Sequence, residues 1–472
     1  MKKQLLLLLP VFLFFTVFIY FISENFFFWD TIKLVSAPAH FFYENDFNKF
    51  IIPNKFDAGH ISGLAFYIAL IWKIFPKNIT VSHFAMLPFV LGITWQGYSL
   101  ITRYMSNKKD ALIVLILALS GPTILSQFSL VSPEIPLLFF FLLGINLLFL
   151  KKEFLFSFAV LCLFLISSRG VVLALVLLIT DLLVEFQFIG IKKQITLWFR
   201  KSFKYIPAFF VFVVYQLYHY EVAGWIFSHE NSPWIENRNT NNLGGAIYNL
   251  GILTWRMLDF GRIFILIILF TLLLKKRKLI QKDREIRSLL IVLGIAFALF
   301  ILLFMRYKYL TAHRYLLPIY FLVTIFTGYL IVEYVKSKRL KYIIFVFLFI
   351  GLLTGNFWVY PNKISQGWDS TLAHLPYYSL QTEMLNYLDK EDININEVGA
   401  EFPALAEQQI IMLNENTNSF KAKEVGIDRY VIFTNINNDF SDDEMDSLES
   451  EYIIKKEFKS VQVFVRLYEK ID

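Results

Sequence analysis

The sequence predicts an all-α polytopic membrane protein with about eleven spans, interfacial helices in a first outer loop, and a small C-terminal α/β domain outside the membrane. Three observations predict this. Of 472 residues, 57% are hydrophobic and 52 are Phe, and the mean hydropathy is positive. Apolar runs recur at the length that a bilayer requires. Charge is unevenly placed: residues 361–472 hold 10 Lys/Arg against 21 Asp/Glu, while the whole chain carries +7. A membrane body with basic cytoplasmic loops and an acidic terminal domain has this pattern.

The chain opens with Met1-Lys2-Lys3 and an apolar run to about Tyr20. No small-residue cleavage site follows, so this reads as an uncleaved first span. Spans are expected at about 4–22, 83–102, 111–128, 136–150, 154–168, 171–188, 205–219, 263–274, 288–305, 315–335 and 341–358. Basic clusters fall between alternate spans: Arg103/Lys108/Lys109, Lys151/Lys152, Lys192 to Lys204, Lys275 to Arg287, and Lys336 to Lys341. Putting all of them in the cytoplasm satisfies the positive-inside rule, with the N-terminus inside and the C-terminal domain outside. Residues 59–75 are apolar enough to span, but counting them would turn every later basic cluster outward. They are therefore expected to lie on the outer face as an interfacial helix, where Trp72 and Lys73 suit the head groups. The division is residues 1–360 for the membrane body, with 23–82 as the first outer loop, and 361–472 for the outer domain.

In the outer domain, residues 378–389 have the pattern of an amphipathic helix. Tyr430-Val431-Ile432-Phe433 reads as a strand. Tyr452-Ile453-Ile454 and Val461-Gln462-Val463-Phe464-Val465 read as two more, in a hairpin. Cys162, alone in an apolar span, excludes an internal disulfide and argues against a Cys-based metal site. The charge pattern excludes a nucleic-acid binder and makes membrane lipids the surrounding partner. The preference for Lys, Ile, Asn and Phe points to an AT-rich bacterial genome, hence to a bacterial cytoplasmic (inner) membrane.

Carboxylates at the edge of a bilayer are costly and usually have a task. Asp30 ends the run Phe26-Phe27-Phe28-Trp29-Asp30, and Glu134 follows Ser132-Pro133. The charge-based topology puts Asp30, Glu134, Arg169, Arg256, Arg306, Lys308, His313 and Arg314 on one side, although none of them was used to choose it. Carboxylates and cations at the outer face suit transfer of a sugar carried on a lipid phosphate. A cation would bind the leaving phosphate, and a carboxylate would accept the proton of the attacking hydroxyl. Trp29, Phe41, Phe42 and Tyr43 offer aromatic faces for a sugar ring.

Four places then resemble the GT-C superfamily of membrane glycosyltransferases, in particular the branch with the protein O-mannosyltransferases and the lipid A aminoarabinose transferase. They are Phe28-Trp29-Asp30 after the first span, the run Gly59-His60-Ile61 to Tyr67 with Trp72-Lys73-Ile74-Phe75, Glu134-Ile135-Pro136 leading into a span, and His313-Arg314-Tyr315-Leu316-Leu317-Pro318. The resemblance covers most of residues 1–360. It implies an inverting transfer from a polyprenyl-phosphate sugar to a glycan, lipid or protein acceptor on the extracytoplasmic side. Asp30 and Glu134 would be catalytic, and Arg169, Arg256 and Arg314 would bind the donor phosphate. Asp57, His60, Tyr67, His313 and Trp368 would contact substrate. No cofactor is expected to be required; a divalent metal on Asp30, Asp57 and Glu134 is the less favoured alternative. There are departures from the family pattern. Thr31 stands where an acidic residue is common, Ile61 and Ser62 where two prolines are, and Glu134 where Asp is. Donor and acceptor identity stay open.

Each residue also has a plainer role to set beside the chemical one. Asp30 would cap the following helix, Glu134 would complement a helix dipole, and Arg169 would snorkel to head groups. Arg256, Arg262, His313 and Arg314 would anchor span ends, His60 would be an ordinary interfacial residue, and Asp57 would sit in a polar turn. Asp181 and Glu185 would mark a span boundary. The stretch Trp368-Asp369-Ser370-Thr371-Leu372-Ala373-His374, just after the last span, would cover the site. Two other functions compete with transfer: a transporter or flippase of a lipid-linked saccharide, and a non-catalytic envelope scaffold. The first needs polar residues along a path through the bilayer, and the mid-span positions are nearly free of charge.

Overall fold

The structure is a computed structural model. It describes residues 2–184, 191–226, 229, 239–280, 283, 286–308, 311–436 and 439–471. Glu185 lies outside the described residues. Helix α1 (Lys2–Ile22) leads into a first loop that carries α2 (Ala37–Glu44), α3 (Gly63–Ile74) and α4 (Ile79–Phe84). The body continues with α5 (Leu87–Tyr104), α6 (Lys108–Leu119), α7 (Pro122–Phe128), α8 (Glu134–Phe149), α9 (Glu153–Ile166), α10 (Ser168–Val184), α11 (Ile191–Ser202) and α12 (Ile206–Ala223). It closes with α13 (Leu243–Leu258), α14 (Arg262–Ile280), α15 (Arg287–Arg306), α16 (Leu317–Tyr334) and α17 (Lys338–Thr354).

Among the described residues, five helices are long and apolar enough to cross a membrane, or seven if two bent pairs each count as one. About eleven were expected. The difference lies partly in helices that are apolar but short: α8 has 16 residues and α9 has 14. At 1.5 Å per residue α8 is ~24 Å long, less than the ~30 Å hydrocarbon layer. Helix α3 has 12 residues, ~18 Å, too short to span upright and consistent with the interfacial reading of 59–75.

The expected span 111–128 is broken: α6 and α7 meet at 73° across Ser120-Gly121, and Pro122 restarts the helix at its first position. Residues 219–262, expected as an outer loop, contain the 16-residue apolar α13, which turns through 92° into α14. Phe260 (φ 50°) and Gly261 (φ 79°) make that turn. A Cβ on Gly261 would come within 2.0 Å of the Gly351 carbonyl oxygen, so only glycine fits. Helix α16 is apolar on all sides and buried along nearly its whole length, as the centre of a bundle must be. Helices α1 and α12 instead expose Phe14, Phe21, Phe209 and Phe210, surface that lipid would cover.

The C-terminal part holds a five-stranded sheet of order β2-β1-β3-β5-β4. The strands are β1 (Val398–Ala400), β2 (Lys421–Ala422), β3 (Tyr430–Thr434), β4 (Tyr452–Ser460) and β5 (Val463–Lys470). β1 is parallel to β2 and β3, and β3-β5-β4 is antiparallel, with β4 and β5 forming the expected hairpin. Alternation decides the faces. Val431, Phe433, Phe464 and Tyr468 form one apolar cluster with Phe440 and with Leu448 of α20 (Asp442–Glu451). Ile432, Val465 and Leu467 face the other way, into the main core with Met384 and Leu388 of α18 (Tyr377–Lys390). The sheet region is tied to the first loop. Phe27 N donates to Ile411 O at 3.0 Å, and Ser36 Oγ donates to Ile410 O at 2.5 Å; the acceptors belong to α19 (Gln408–Ile411).

Candidate active site

Asp30 is placed by a tight turn. Trp29 has φ 54°, a left-handed conformation that costs a non-glycine residue about 1 kcal/mol. Thr31, the departure from the family pattern, holds the turn. Its Oγ1 donates to Phe28 O at 2.6 Å and accepts from Phe28 N at 3.0 Å. Asp30 O then accepts from Leu34 N at 2.8 Å as the helical segment begins.

Opposite Asp30 is Arg314, on the short turn His313–Leu316 that opens α16. Its guanidinium holds three carboxylates. Nη2 donates to Asp30 Oδ2, Nη1 donates to Asp369 Oδ2, and Nε lies 3.2 Å from Glu134 Oε1. Arg169, at the start of α10, donates to the same Glu134 oxygen. Both guanidiniums lie over the Tyr315 ring, at 4.3 Å for Arg169 and 5.0 Å for Arg314. The Ser132 hydroxyl sits 3.3 Å from Glu134 Oε2 and donates to Gln127 Oε1. Gln127 Nε2 and Ser126 Oγ both donate to Asp369 O, at 2.7 and 2.8 Å. Glu134, Asp369 and Arg314 are buried. Ions this far from water keep their charge only when paired and hydrogen-bonded.

A second charged centre lies at the α13–α14 bend. Asp259 Oδ2 pairs with His313 Nε2 at 2.8 Å, accepts from the Tyr360 hydroxyl, and lies 3.7 Å from Arg256 Nη1. Arg262 donates through Nη1 to Thr123 Oγ1 at 3.0 Å and through Nε to Arg256 O at 3.3 Å. Tyr320 OH donates to that same carbonyl at 2.9 Å, which fixes the last turn of α13. Arg256 Nε and Arg262 Nη2 are buried donors with no hydrogen-bond acceptor among the described residues.

The two centres share a cavity of about 830 Å³. Asp30, Arg314 and Asp369 line it from the first, and Arg256 and His313 from the second. Trp29, Lys33 and Lys55 add the first loop, while Phe402, Glu407 and Asp439 add the C-terminal part. Trp29 and Phe402 meet edge to face, 6.0 Å between centroids. Burial lowers the Lys33 pKa against the pull of Asp30 and Asp439, and burial raises that of Asp439.

The structure thus gathers Asp30, Glu134, Arg169, Arg256, His313 and Arg314 in one region. His60 stands beside them: its Nδ1 is 2.9 Å from Ser168 Oγ, next to Arg169. Three predicted substrate contacts are elsewhere. Asp57 is buried against His219 Nε2 at 2.8 Å and Gly59 N at 2.6 Å, and it ties the first loop to α12. Tyr67 donates to Ala85 O at 3.0 Å. Trp368 is buried and does not line the cavity. Sequence reasoning placed Asp369 only in a covering segment and Arg262 only as an anchor, and it passed over Asp259, Tyr360, Lys33, Phe402 and Asp439. An acidic residue between Arg256 and Arg262 was the one available signal for Asp259. Among the described residues no group of three or more His, Cys, Asp or Glu is arranged to hold a metal. Arg314 lies between Asp30 and Glu134 and contacts both.

No family model and no curated protein matches the sequence. Among solved structures, the crystal structure of ArnT from Cupriavidus metallidurans, bound to undecaprenyl phosphate, matches over 99% of this chain and 98% of that one. The TM-score is 0.51 at 10% identity. At that identity the likeness concerns architecture: the chain has the fold of that ArnT structure.

Proposed function

We propose that the protein is an inverting glycosyltransferase. It moves a sugar from a polyprenyl-phosphate donor to a hydroxyl on a glycan, lipid or protein acceptor at the outer face of a bacterial inner membrane. One observation carries this reading. Asp30 and Arg256, 226 positions apart in the chain, stand on the wall of one cavity, the first in a carboxylate-rich centre and the second in an arginine-rich one. The site lies at the Asp30, Glu134, Arg169 and Arg314 ends of α1, α8, α10 and α16, while Lys151, Lys152 and Lys336 lie beyond the other ends of α8 and α16. Positive-inside bias then favours an outward site. The crystallised neighbour's bound undecaprenyl phosphate favours a lipid-phosphate donor.

The chemistry follows from the residues. The acceptor oxygen attacks the anomeric carbon and forms the new C–O bond. The bond from that carbon to the phosphate oxygen breaks, and its electron pair leaves with the polyprenyl phosphate. Asp30 takes the acceptor's proton. Negative charge grows on the phosphate as the bond breaks, and Arg256, which lines the cavity, would stabilise it. Glu134 keeps Arg169 and Arg314 in place. No metal is required in this scheme.

The test uses purified protein in lipid with undecaprenyl-phosphate sugars. Sugar transfer is expected, and Asp30→Asn is expected to lower kcat by about 100-fold or more with unchanged melting. Movement of the lipid-linked sugar across the bilayer without transfer would establish the transporter reading instead.

A further inference from the structure

We propose that Asp369, from the segment after the last span, is a positioning residue that sets how tightly Arg314 holds Asp30. The inference rests on the reading of Asp30 as proton acceptor. A carboxylate locked onto one guanidinium is a weak base, because the partner favours its charged form. Arg314 is not devoted to Asp30: Asp369 takes Nη1, Glu134 lies against Nε, and Asp30 has only Nη2. The Arg314 centre has three carboxylates for two guanidiniums, so Arg314 is shared among them and is not given to Asp30 alone. Asp369 is built for this place. It is 5% exposed. Its carbonyl is clamped by Ser126 and Gln127 of α7, the helix created by the break at Gly121. Gly367, two residues earlier, packs so closely on His313 that a Cβ there would be 2.8 Å from Nδ1. The segment therefore touches both charged centres.

The other charged groups around Asp30 do not replace this effect. Lys33 of its own segment and Asp439 of the C-terminal part exert opposite influences, Glu134 lies across Arg314, and Tyr315 accepts weakly from Nη2 at 3.3 Å. Removing the Asp369 charge leaves Arg314 more fully to Asp30. The base weakens, and its protonation moves to lower pH.

The experiment is a pH profile of transferase activity with a polyprenyl-phosphate sugar. In Asp369→Asn the acidic limb of kcat/KM is expected to move down by about one pH unit. The kcat at neutral pH is expected to fall about tenfold, with donor KM unchanged. Asp369→Glu keeps the charge, so its limb is expected to stay in place. An unmoved limb in Asp369→Asn, with the protein folded, would overturn the proposal. If that variant does not fold, Asp369→Ala decides: it removes the charge without setting an amide donor against Arg314, and an unmoved limb there would overturn the proposal equally. In an Asp30→Asn background, Asp369→Asn is expected to add no further loss. Full activity of Asp30→Asn alone would instead sink the functional reading.

Discussion

The two buried centres on the cavity wall are built from the same residue types in opposite ratio. Around Arg314, three carboxylates share two guanidiniums. Around Asp259, two guanidiniums accompany one carboxylate: Arg256 lies 3.7 Å from it, and Arg262 is bound to the Arg256 carbonyl. The first is closed, since each carboxylate already touches a cation. The second is open, since two arginine N–H groups have no acceptor among the described residues. A closed centre contributes to folding and holds its carboxylates in position. An open one keeps buried donors unpaired. Under the proposed function, the acceptor's proton would go to the first wall and the donor's phosphate to the second.

Breaking the closed centre is expected to have the largest effect. Arg314→Met strands buried Asp369, removes the recorded ion-pair partner of half-buried Asp30 and leaves Glu134 with Arg169 alone, and loss of one partner from a buried ion pair costs about 3–5 kcal/mol. A sharply lowered melting temperature and lost activity are expected together, and a well-folded, active variant would show that the centre is not closed in this sense. At the open centre, Arg256→Met leaves Asp259 its His313 and Tyr360 partners, so it is expected to lower melting less than Arg314→Met and to raise donor KM by about 10- to 100-fold, the value of a hydrogen bond to a charged group. An inhibition assay with undecaprenyl phosphate would report the same loss. Away from both centres, His219→Ala removes the buried partner of Asp57. It is expected to cost about 1–3 kcal/mol in stability and to leave kcat unchanged, which calorimetry and initial rates would separate.

The smallest effect concerns a carboxyl with no arginine beside it. Burial, reinforced by Asp439, raises the pKa of Glu401 well above its ordinary value. Its ionisation is therefore easier in the unfolded chain, and folded-state stability falls as pH rises above the ordinary Glu range, near 4.5. Glu401→Gln is expected to flatten that fall, a difference on the order of 1 kcal/mol. Melting curves at pH 5 and pH 7.5 would show it, and an unchanged slope would contradict it.

The Arg314 centre was largely legible because its parts announce themselves locally. Asp30 and Glu134 are acidic residues bordering apolar runs, and Arg314 stands before Tyr315 and Pro318 at the start of a span. The open centre was less legible. It depends on a 92° turn made by Phe260 and Gly261, and nothing in hydropathy distinguishes a bend from a loop. The pairing of Asp57 was not legible because its partner, His219, is 162 residues away and reaches it only in the folded chain. Asp369 was seen as cover because its place beside Arg314 depends on a clamp from α7, hidden by an apparently continuous apolar stretch from 111 to 128. The β3–β5–β4 strands were read from alternation, whereas β1 and β2, of three and two residues, leave no periodicity to read.

The return of the chain to Arg314 also orders the protein's birth. Asp369 is made 55 residues after Arg314, which at ordinary translation speed is a delay of ~3–11 s. Until then the newly inserted bundle lacks one of the three partners of its central arginine, and Phe402 and Asp439 arrive later still. A ribosome that stalls after the last span therefore leaves a bundle whose cavity lacks part of its wall, and the pocket is complete only once the tail has been made.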